Sequence, residues 1–270
     1  MNSPSTYATG SRHRGETVIE NSRPRLQAVS LSVCVPVAAG FRCRLITGMT
    51  LLMLGLGLLL SGCTQDQPAD KPVAAAQPSM PVYAGTIVAV GDSLTAGLGL
   101  PEDQAYPAQL ARRLKAEGHD YRVVNAGVSG ETSSGTLSRI DWVVASLKPD
   151  IVILETGAND GLRGLDPALL EANLDQLVTK LTRDGIQVIL AGMLMLPNLG
   201  PEYTRDFAAI YPRIAEEHDI LFIPFFLEGV AGREDLNQAD KLHPTAEGYA
   251  RVVMTLYPTV IEAIRRHETG

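Results

Sequence analysis

Residues 86–94 have the sequence TIVAVGDSL, in which an apolar run leads directly into a Gly-Asp-Ser-Leu turn. The run Thr86–Val90 carries no charge, as is typical of a strand buried on both faces of a sheet. Gly91 permits close packing after the strand, and Ser93 stands where the chain is expected to turn into a helix. This stretch therefore predicts a buried parallel strand with a hydroxyl group at its carboxyl end.

The same alternation of short apolar runs and longer helical patterns continues to the end of the chain. Further strands are predicted at Tyr121–Asn125, Ile151–Glu155, Gln187–Leu190 and Leu221–Phe225. Helices are predicted at Ala105–Glu117, Leu137–Leu147, Pro167–Asp184, Tyr203–Glu217 and Thr245–Arg266. Buried strands alternating with helices indicate a parallel sheet covered on both faces. Such sheets bind ligands at the carboxyl ends of their strands, so function is expected in the loops there.

Ser93 is the first candidate for chemistry in these loops. A serine at a strand-to-helix turn can be exposed as a nucleophile and can be activated by a neighbouring base. Alternatively, Ser93 only caps the turn that follows it, as serine often does. The chain contains no G-x-S-x-G sequence, so the nucleophile elbow of the α/β-hydrolase fold is not indicated.

The next two loops carry groups that suit the stabilisation of an oxyanion. The second strand runs into NAGVSG, where Gly127 either makes a simple turn or presents its backbone N–H to developing negative charge. The third strand runs into GAND, where Asn159 is either an ordinary loop residue or a side-chain amide donor to the same charge. Neither loop is specific when taken alone.

The segment DKLHP at 240–244 is the last of these loops. His243 has a carboxylate, Asp240, three residues earlier, and it stands just before the terminal helix. This spacing lets Asp240 orient the imidazole while His243 takes the Ser93 proton. The alternative is a surface aspartate and histidine on a loop. The other four histidines are not candidates for the catalytic base. His13 lies in the leader, His119 in a turn, His218 near a helix end and His267 in the terminal tail.

Together these loops resemble the blocks of the GDSL/SGNH hydrolase family, which carry Ser, Gly, Asn and His in this order. The resemblance covers nearly the whole predicted domain and implies a flavodoxin-like, three-layer α/β/α fold with a central parallel sheet. The catalytic triad it implies is Ser93, Asp240 and His243. The oxyanion hole it implies consists of the Ser93 N–H, the Gly127 N–H and the Asn159 amide.

A closer resemblance is to the bacterial thioesterase I/lysophospholipase L1/arylesterase branch, carried by GDSLTAG (91–97), GANDGLRG (157–164) and AIYP (209–212). It implies a monomer that hydrolyses acyl esters and thioesters through an acyl-serine intermediate, with no metal or organic cofactor. The stretch GMLMLP (192–197) either walls an acyl-chain groove or belongs to the core. The alternatives are a carbohydrate or peptidoglycan O-acetyl esterase and a non-catalytic envelope lipoprotein.

The charge and the cysteine positions of the chain argue against a nucleic-acid partner and against cysteine chemistry in the domain. The formal net charge is -7 and the pI is near 5.3, whereas nucleic-acid-binding domains are usually strongly basic. No nucleic-acid partner is therefore expected. The cysteines, Cys34, Cys43 and Cys63, all precede the predicted domain. A disulfide-stabilised core, a cysteine nucleophile and a thiolate metal site are thus not indicated.

The N-terminal third has the pattern of a secretory signal. Arg42 and Arg44 precede an apolar run, Leu45–Leu60, that is short for a bilayer span, which needs about 20 residues. The run ends in Leu60-Ser61-Gly62-Cys63, which resembles the bacterial lipobox, where the cysteine receives a lipid. The alternative is an ordinary signal peptide or short anchor. More than 40 residues precede the run, so the true start of translation is open.

These patterns predict the domain organisation and the location of the mature protein. The expected parts are a leader and lipoprotein signal peptide (1–62), a flexible tether rich in Pro, Ala and Gln (63–82), and the hydrolase domain (83–270). The expected location is the periplasmic side of the bacterial cell envelope. The predicted partners are an acyl ester or thioester substrate and a membrane, reached through a lipid on Cys63.

Overall fold

The computed structural model describes residues 82–270, and the predictions for the leader, for Cys63 and for almost all of the tether lie outside them. The strands are β1 (Gly85–Gly91), β2 (Tyr121–Gly127), β3 (Ile151–Glu155), β4 (Gln187–Ala191) and β5 (Leu221–Ile223). The helices are α1 (Ser93–Ala96), α2 (Tyr106–Ala116), α3 (Ser133–Leu147), α4 (Ala158–Leu162), α5 (Pro167–Arg183), α6 (Pro201–Glu217) and α7 (Ala246–Thr269).

The strands form one parallel sheet in the order β2-β1-β3-β4-β5. This is the doubly wound, flavodoxin-like order, and the predicted fold class is confirmed. The chain passes from β1 outward to β2 and then returns to the other side of β1 at β3. Ligand sites in such sheets lie at the carboxyl ends of the strands next to this switch point. The loops after β1 and β3, which carry Ser93 and Asn159, flank it directly.

The hydrophobic core lies on both faces of this sheet. Helices α2 and α7 pack against one another, as do α3 with α5 and α5 with α6, and each group also contacts strands. Every residue of β3 is buried, which agrees with the apolar run IVIL at 151–154, and the strand ends in a buried glutamate, Glu155. Within residues 82–270, no helix combines the length and the apolar character that a membrane crossing needs.

Four elements show the main differences from the sequence prediction, each for a physical reason. Helix α3 begins at Ser133 rather than Leu137 because the Asp160 carboxylate accepts the Ser133 N–H at 2.7 Å. That contact joins residues 27 positions apart, so no local pattern reports it. Strand β5 ends at Ile223 because Pro224 has no N–H for the ladder. The one-turn helices α1 and α4 were not predicted because they are too short to show a helical period.

Helix α5 offers a test of how the core is packed. Leu174 is completely buried and Leu169 is 43% exposed on the same helix. We expect Leu174→Ala to lower the free energy of unfolding by about 2–5 kcal/mol, through lost burial and a residual cavity. Leu169→Ala serves as the matched control, with an expected change below about 1 kcal/mol. Urea unfolding of the domain measures both, and equal losses would contradict this packing of α5.

Candidate active site

Ser93 is the first residue of α1. A single capping residue, Asp92, separates it from the end of β1. Asp92 is the N-cap, and its Oδ1 accepts the Leu94 N–H at 2.9 Å. Ser93 itself is 9% exposed at the carboxyl edge of the sheet. Among the hydrogen bonds of residues 82–270, none uses the Ser93 N–H, as is normal for the first turn of a helix. The turn therefore presents a hydroxyl group and an unpaired backbone donor at the same place.

His243 joins Ser93 to Asp240 across 150 residues of chain. His243 Nε2 lies 2.8 Å from Ser93 Oγ, and His243 Nδ1 lies 2.7 Å from Asp240 Oδ2. An ionised carboxylate can only accept a hydrogen bond, so Nδ1 must be the donor to Asp240. In the neutral imidazole, Nε2 is then free to accept the Ser93 hydroxyl proton.

Two backbone donors stabilise the ionised form of the Asp240 carboxyl. Its Oδ1 accepts the N–H of His243 at 3.0 Å and that of Leu242 at 2.9 Å. These two bonds, together with the His243 ring, lower the pKa of the Asp240 carboxyl to about 2. The carboxylate is thus charged at neutral pH, and the 46% exposure of its side chain favours the charged form as well. The loop is held in place by Gln238, whose Nε2 donates to Leu98 O at 2.8 Å.

Asn159, on α4, is oriented by a residue for which the sequence suggested no role. Its Nδ2 donates to Asp92 Oδ2 at 2.8 Å, which leaves the second N–H of the amide available. Asp92 is almost fully buried, and this burial raises the pKa of its carboxyl. An aspartate before a helical serine is a recognisable N-cap. The contact with Asn159 spans 67 residues and could be found only in three dimensions.

The predicted oxyanion donor of the second loop requires a correction. The Gly127 N–H donates to Asn125 Oδ1 at 3.0 Å, so it is already bonded within its own turn. A Cβ at Gly127 would overlap the backbone of Ala96 in α1, so the glycine allows close packing there. By contrast, the Gly130 N–H has no hydrogen-bond partner among residues 82–270. Gly130 has φ 78°, which favours glycine.

Two contacts fix the loops around Ser93 to one another. Asp160 accepts the hydroxyl proton of Ser133 at 2.5 Å in addition to its N–H, which joins α4 to the start of α3. Arg163 Nη2 donates to Gly130 O at 2.6 Å and joins the end of α4 to the loop after β2. Neither Asp160 nor Arg163 was singled out from sequence, although both belong to the quoted GANDGLRG stretch.

An apolar cavity of about 190 Å³ opens beside the serine. Its polar lining includes Ser93, Asn159 and His243. The apolar lining includes Leu162, Met193, Leu194, Met195, Leu196, Phe225, Leu227 and Leu242. Met193 of the stretch at 192–197 lines this cavity and also belongs to the buried core. Within the described part of the chain, no cluster of His, Cys, Asp and Glu is arranged to hold a metal ion.

Fold and site together define a serine-type ester hydrolase built on a three-layer α/β/α sheet. The family model "GDSL-like Lipase/Acylhydrolase family" matches residues 89–251. The chain belongs to this family, and its membership is confirmed by full-length relatives.

Relatives and solved structures agree with this assignment. The chain is 41% identical over 203 residues to Esterase TesA of Pseudomonas aeruginosa, covering 75% of this chain and 96% of that protein. It is 35% identical to thioesterase 1/protease 1/lysophospholipase L1 of Escherichia coli K12, over 61% of this chain and 77% of that one. The crystal structure of TesA superposes with a TM-score of 0.64 at 43% identity, covering 66% and 99% of the two chains. AlinE4, an SGNH-hydrolase family esterase, gives 0.58 at 45% identity, covering 68% and 98%.

The contact between Asp240 and His243 predicts a specific kinetic defect. Asp240→Asn replaces an acceptor by an amide, so the imidazole loses its negative partner and its fixed tautomer. We expect kcat for ester hydrolysis to fall by up to about 10⁴-fold, the loss seen when a triad aspartate is replaced in this way. Asp235→Asn, an exposed aspartate of the same segment, is the control and is expected to keep wild-type kcat. A kcat within twofold of wild type in Asp240→Asn would exclude Asp240 from the reaction.

Proposed function

We propose that this enzyme hydrolyses carboxylic esters and thioesters of medium and long acyl chains through an acyl-serine intermediate. The observation that carries the proposal is the 2.8 Å contact between His243 Nε2 and Ser93 Oγ at the mouth of an apolar cavity. A polar nucleophile and base beside an apolar groove suit a substrate with a reactive carbonyl and a hydrocarbon chain.

In the proposed reaction, His243 takes the hydroxyl proton of Ser93 as Oγ attacks the carbonyl carbon. The resulting oxyanion is bound by the Ser93 N–H and by the free N–H of Asn159. We propose the Gly130 N–H as a third donor in place of Gly127, because it is unpaired and Arg163 fixes its loop beside α4. The leaving alcohol or thiol takes the proton back from His243. A water activated by His243 then releases the acid and restores Ser93.

A carbohydrate or peptidoglycan O-acetyl esterase is the second candidate within the same chemistry. An acetyl group needs room for a single methyl, whereas the apolar wall here extends from Leu162 to Leu242. The extent of that wall favours longer chains. The names of the relatives, esterase, arylesterase and thioesterase/lysophospholipase, support acyl esters and thioesters as the substrate class.

Covalent labelling with a fluorophosphonate tests the nucleophile directly. We expect wild type to be labelled and Ser93→Ala to be unlabelled, with Ser138→Ala, an exposed serine of α3, labelled like wild type. Hydrolysis of p-nitrophenyl esters from C2 to C16 measures the acyl preference in parallel. Activity on acetate alone would favour the O-acetyl esterase. A folded wild-type domain without labelling would favour a non-catalytic envelope lipoprotein.

We further propose that the mature protein is held on the periplasmic side of the cell envelope by a lipid on Cys63. The support is the sequence LSGC at 60–63, which follows an apolar run with arginines before it. A single acyl chain gives only weak membrane binding, so stable anchoring rests on the several chains of a lipidated N-terminal cysteine.

Metabolic labelling of the full-length chain with a palmitate analogue tests this anchor in a bacterium that matures lipoproteins. We expect Cys63→Ser to lose the label and to leave the membrane fraction. Cys43→Ser, which alters a cysteine inside the leader, is the matched control and should keep both the label and the membrane association. Label retained in Cys63→Ser, or absent from wild type, would contradict the proposal.

A further inference from the structure

A carboxyl group without a cationic partner lies directly beneath the serine turn. Glu155 is the last residue of β3 and is completely buried. Its Oε2 accepts the Thr95 hydroxyl at 2.9 Å and the Asp92 N–H at 3.3 Å. These two donors stand on either side of Ser93. The side chain of Glu155 thus accepts hydrogen bonds from the residue before Ser93 and from the second residue after it, and it fixes the turn between them.

The glycine of the Gly-Asp-Ser-Leu turn makes this contact possible. A Cβ at Gly91 would lie 2.5 Å from Glu155 Oε2 and would also overlap Thr95 Oγ1 and the backbone oxygen of Glu155. Any side chain at position 91 would therefore displace the carboxyl group from the turn. The close approach of Glu155 accounts for the glycine at this point of the sequence, where the backbone conformation itself does not demand one.

The surroundings of Glu155 favour its neutral, protonated form. Burial, and then the nearby Asp92 carboxyl, raise the pKa of Glu155 well above its usual range. The other titratable side chains that face it are phenols: Tyr106, Tyr211 and Tyr249, whose pKa values burial also raises, so they bring no charge. The guanidinium of Arg139 donates to Gly91 O and forms an ion pair with Glu131, so its partners are those groups and not Glu155.

Of the two neighbouring carboxyl groups, Asp92 is the better placed to carry charge. Burial raises the pKa of the Asp92 carboxyl, but the hydrogen bonds that it accepts from Leu94 and Asn159 partly offset this effect. Oε1 of Glu155 has no hydrogen-bond partner among residues 82–270. Two adjacent buried carboxyl groups have the lowest electrostatic free energy when one of them stays protonated.

We propose that Glu155 is a positioning residue which, as a neutral acid, fixes the Asp92–Ser93 turn from below and, through Asp92, orients the Asn159 amide. This inference rests on the proposed function of the site. It assigns Glu155 no contact with the substrate. Its effect is the alignment of Ser93 and Asn159 for the same acyl group.

Two substitutions separate the shape of Glu155 from its charge. Glu155→Gln keeps an acceptor oxygen for Thr95 and the Asp92 N–H without a titrating group, so we expect kcat within about threefold of wild type. Glu155→Leu removes the acceptor, and a misplaced turn is expected to lower kcat by about 10- to 100-fold with KM within about twofold. Glu171→Gln, which alters an exposed ion pair with Arg213 outside the lining of the cavity, is the control and should match wild type.

Thermal unfolding between pH 4 and 8 tests the charge without any need for activity. An unfolded glutamate ionises near pH 4.3, about the ordinary value, while buried Glu155 keeps its proton in the native state. The contribution of Glu155 to the stability of native wild type is therefore lost as the pH rises above that value, and Glu155→Gln has no such contribution to lose. We expect the Tm of Glu155→Gln to rise relative to wild type by several degrees over this range.

The outcomes are separable. Three results would each overturn the proposal. The first is a Glu155→Leu variant that folds and keeps wild-type kcat, and the second is a Glu155→Gln variant whose kcat is as low as that of Glu155→Leu. The third is a Tm difference between Glu155→Gln and wild type that does not depend on pH. If Glu155→Leu does not fold, Thr95→Val removes the side-chain donor instead, and a kcat unchanged in that variant overturns it equally. A wild type that neither hydrolyses esters nor reacts with fluorophosphonate defeats the proposed function, whereas the Tm comparison still decides whether Glu155 is neutral.

Discussion

The carboxyl group of Glu155 reaches the turn that holds Ser93 only because residue 91 has no side chain. The turn follows β1 and Glu155 ends β3, so this contact joins the ends of the two strands on either side of the switch point in the sheet. Ser93 follows one of these strands and Asn159 follows the other. A shift of either strand end by an ångström would separate the nucleophile from the amide, so the geometry of the site depends on the packing beneath it.

The sequence predicts the parts of this structure that are local. Apolar runs such as IVIL at 151–154 predict every strand to within a few residues, because a buried parallel strand is mostly apolar. The order of the loops predicts which side chains meet at one edge. The contacts that orient them do not follow from local pattern: Asp92 with Asn159, and Asp160 with Ser133, join residues 67 and 27 positions apart.

Gly127 shows why a motif alone is insufficient for assigning a donor. A glycine after a strand fits the pattern of an oxyanion loop. Its N–H can bind an oxyanion only if no other group in the protein already accepts its hydrogen bond. Here Asn125 takes the Gly127 proton, while Gly130, three residues on, keeps an unpaired N–H. The choice between two glycines of one short loop depends on a side chain whose direction only the folded structure gives.

The carboxyl groups near Ser93 are kept in different charge states by different means. Asp240 is half-exposed and is held ionised by two backbone donors, which suits a group that must balance a charged imidazole. Asp92 and Glu155 are buried side by side, and burial disfavours charge on both. If both were ionised, their combined negative potential would oppose the oxyanion that is proposed to form at Ser93, because electrostatic interactions are strong in a water-poor site. A protonated Glu155 keeps the hydrogen bonds that fix the turn while it removes one of these charges, so the structural support and the electrostatic requirement are met by the same side chain.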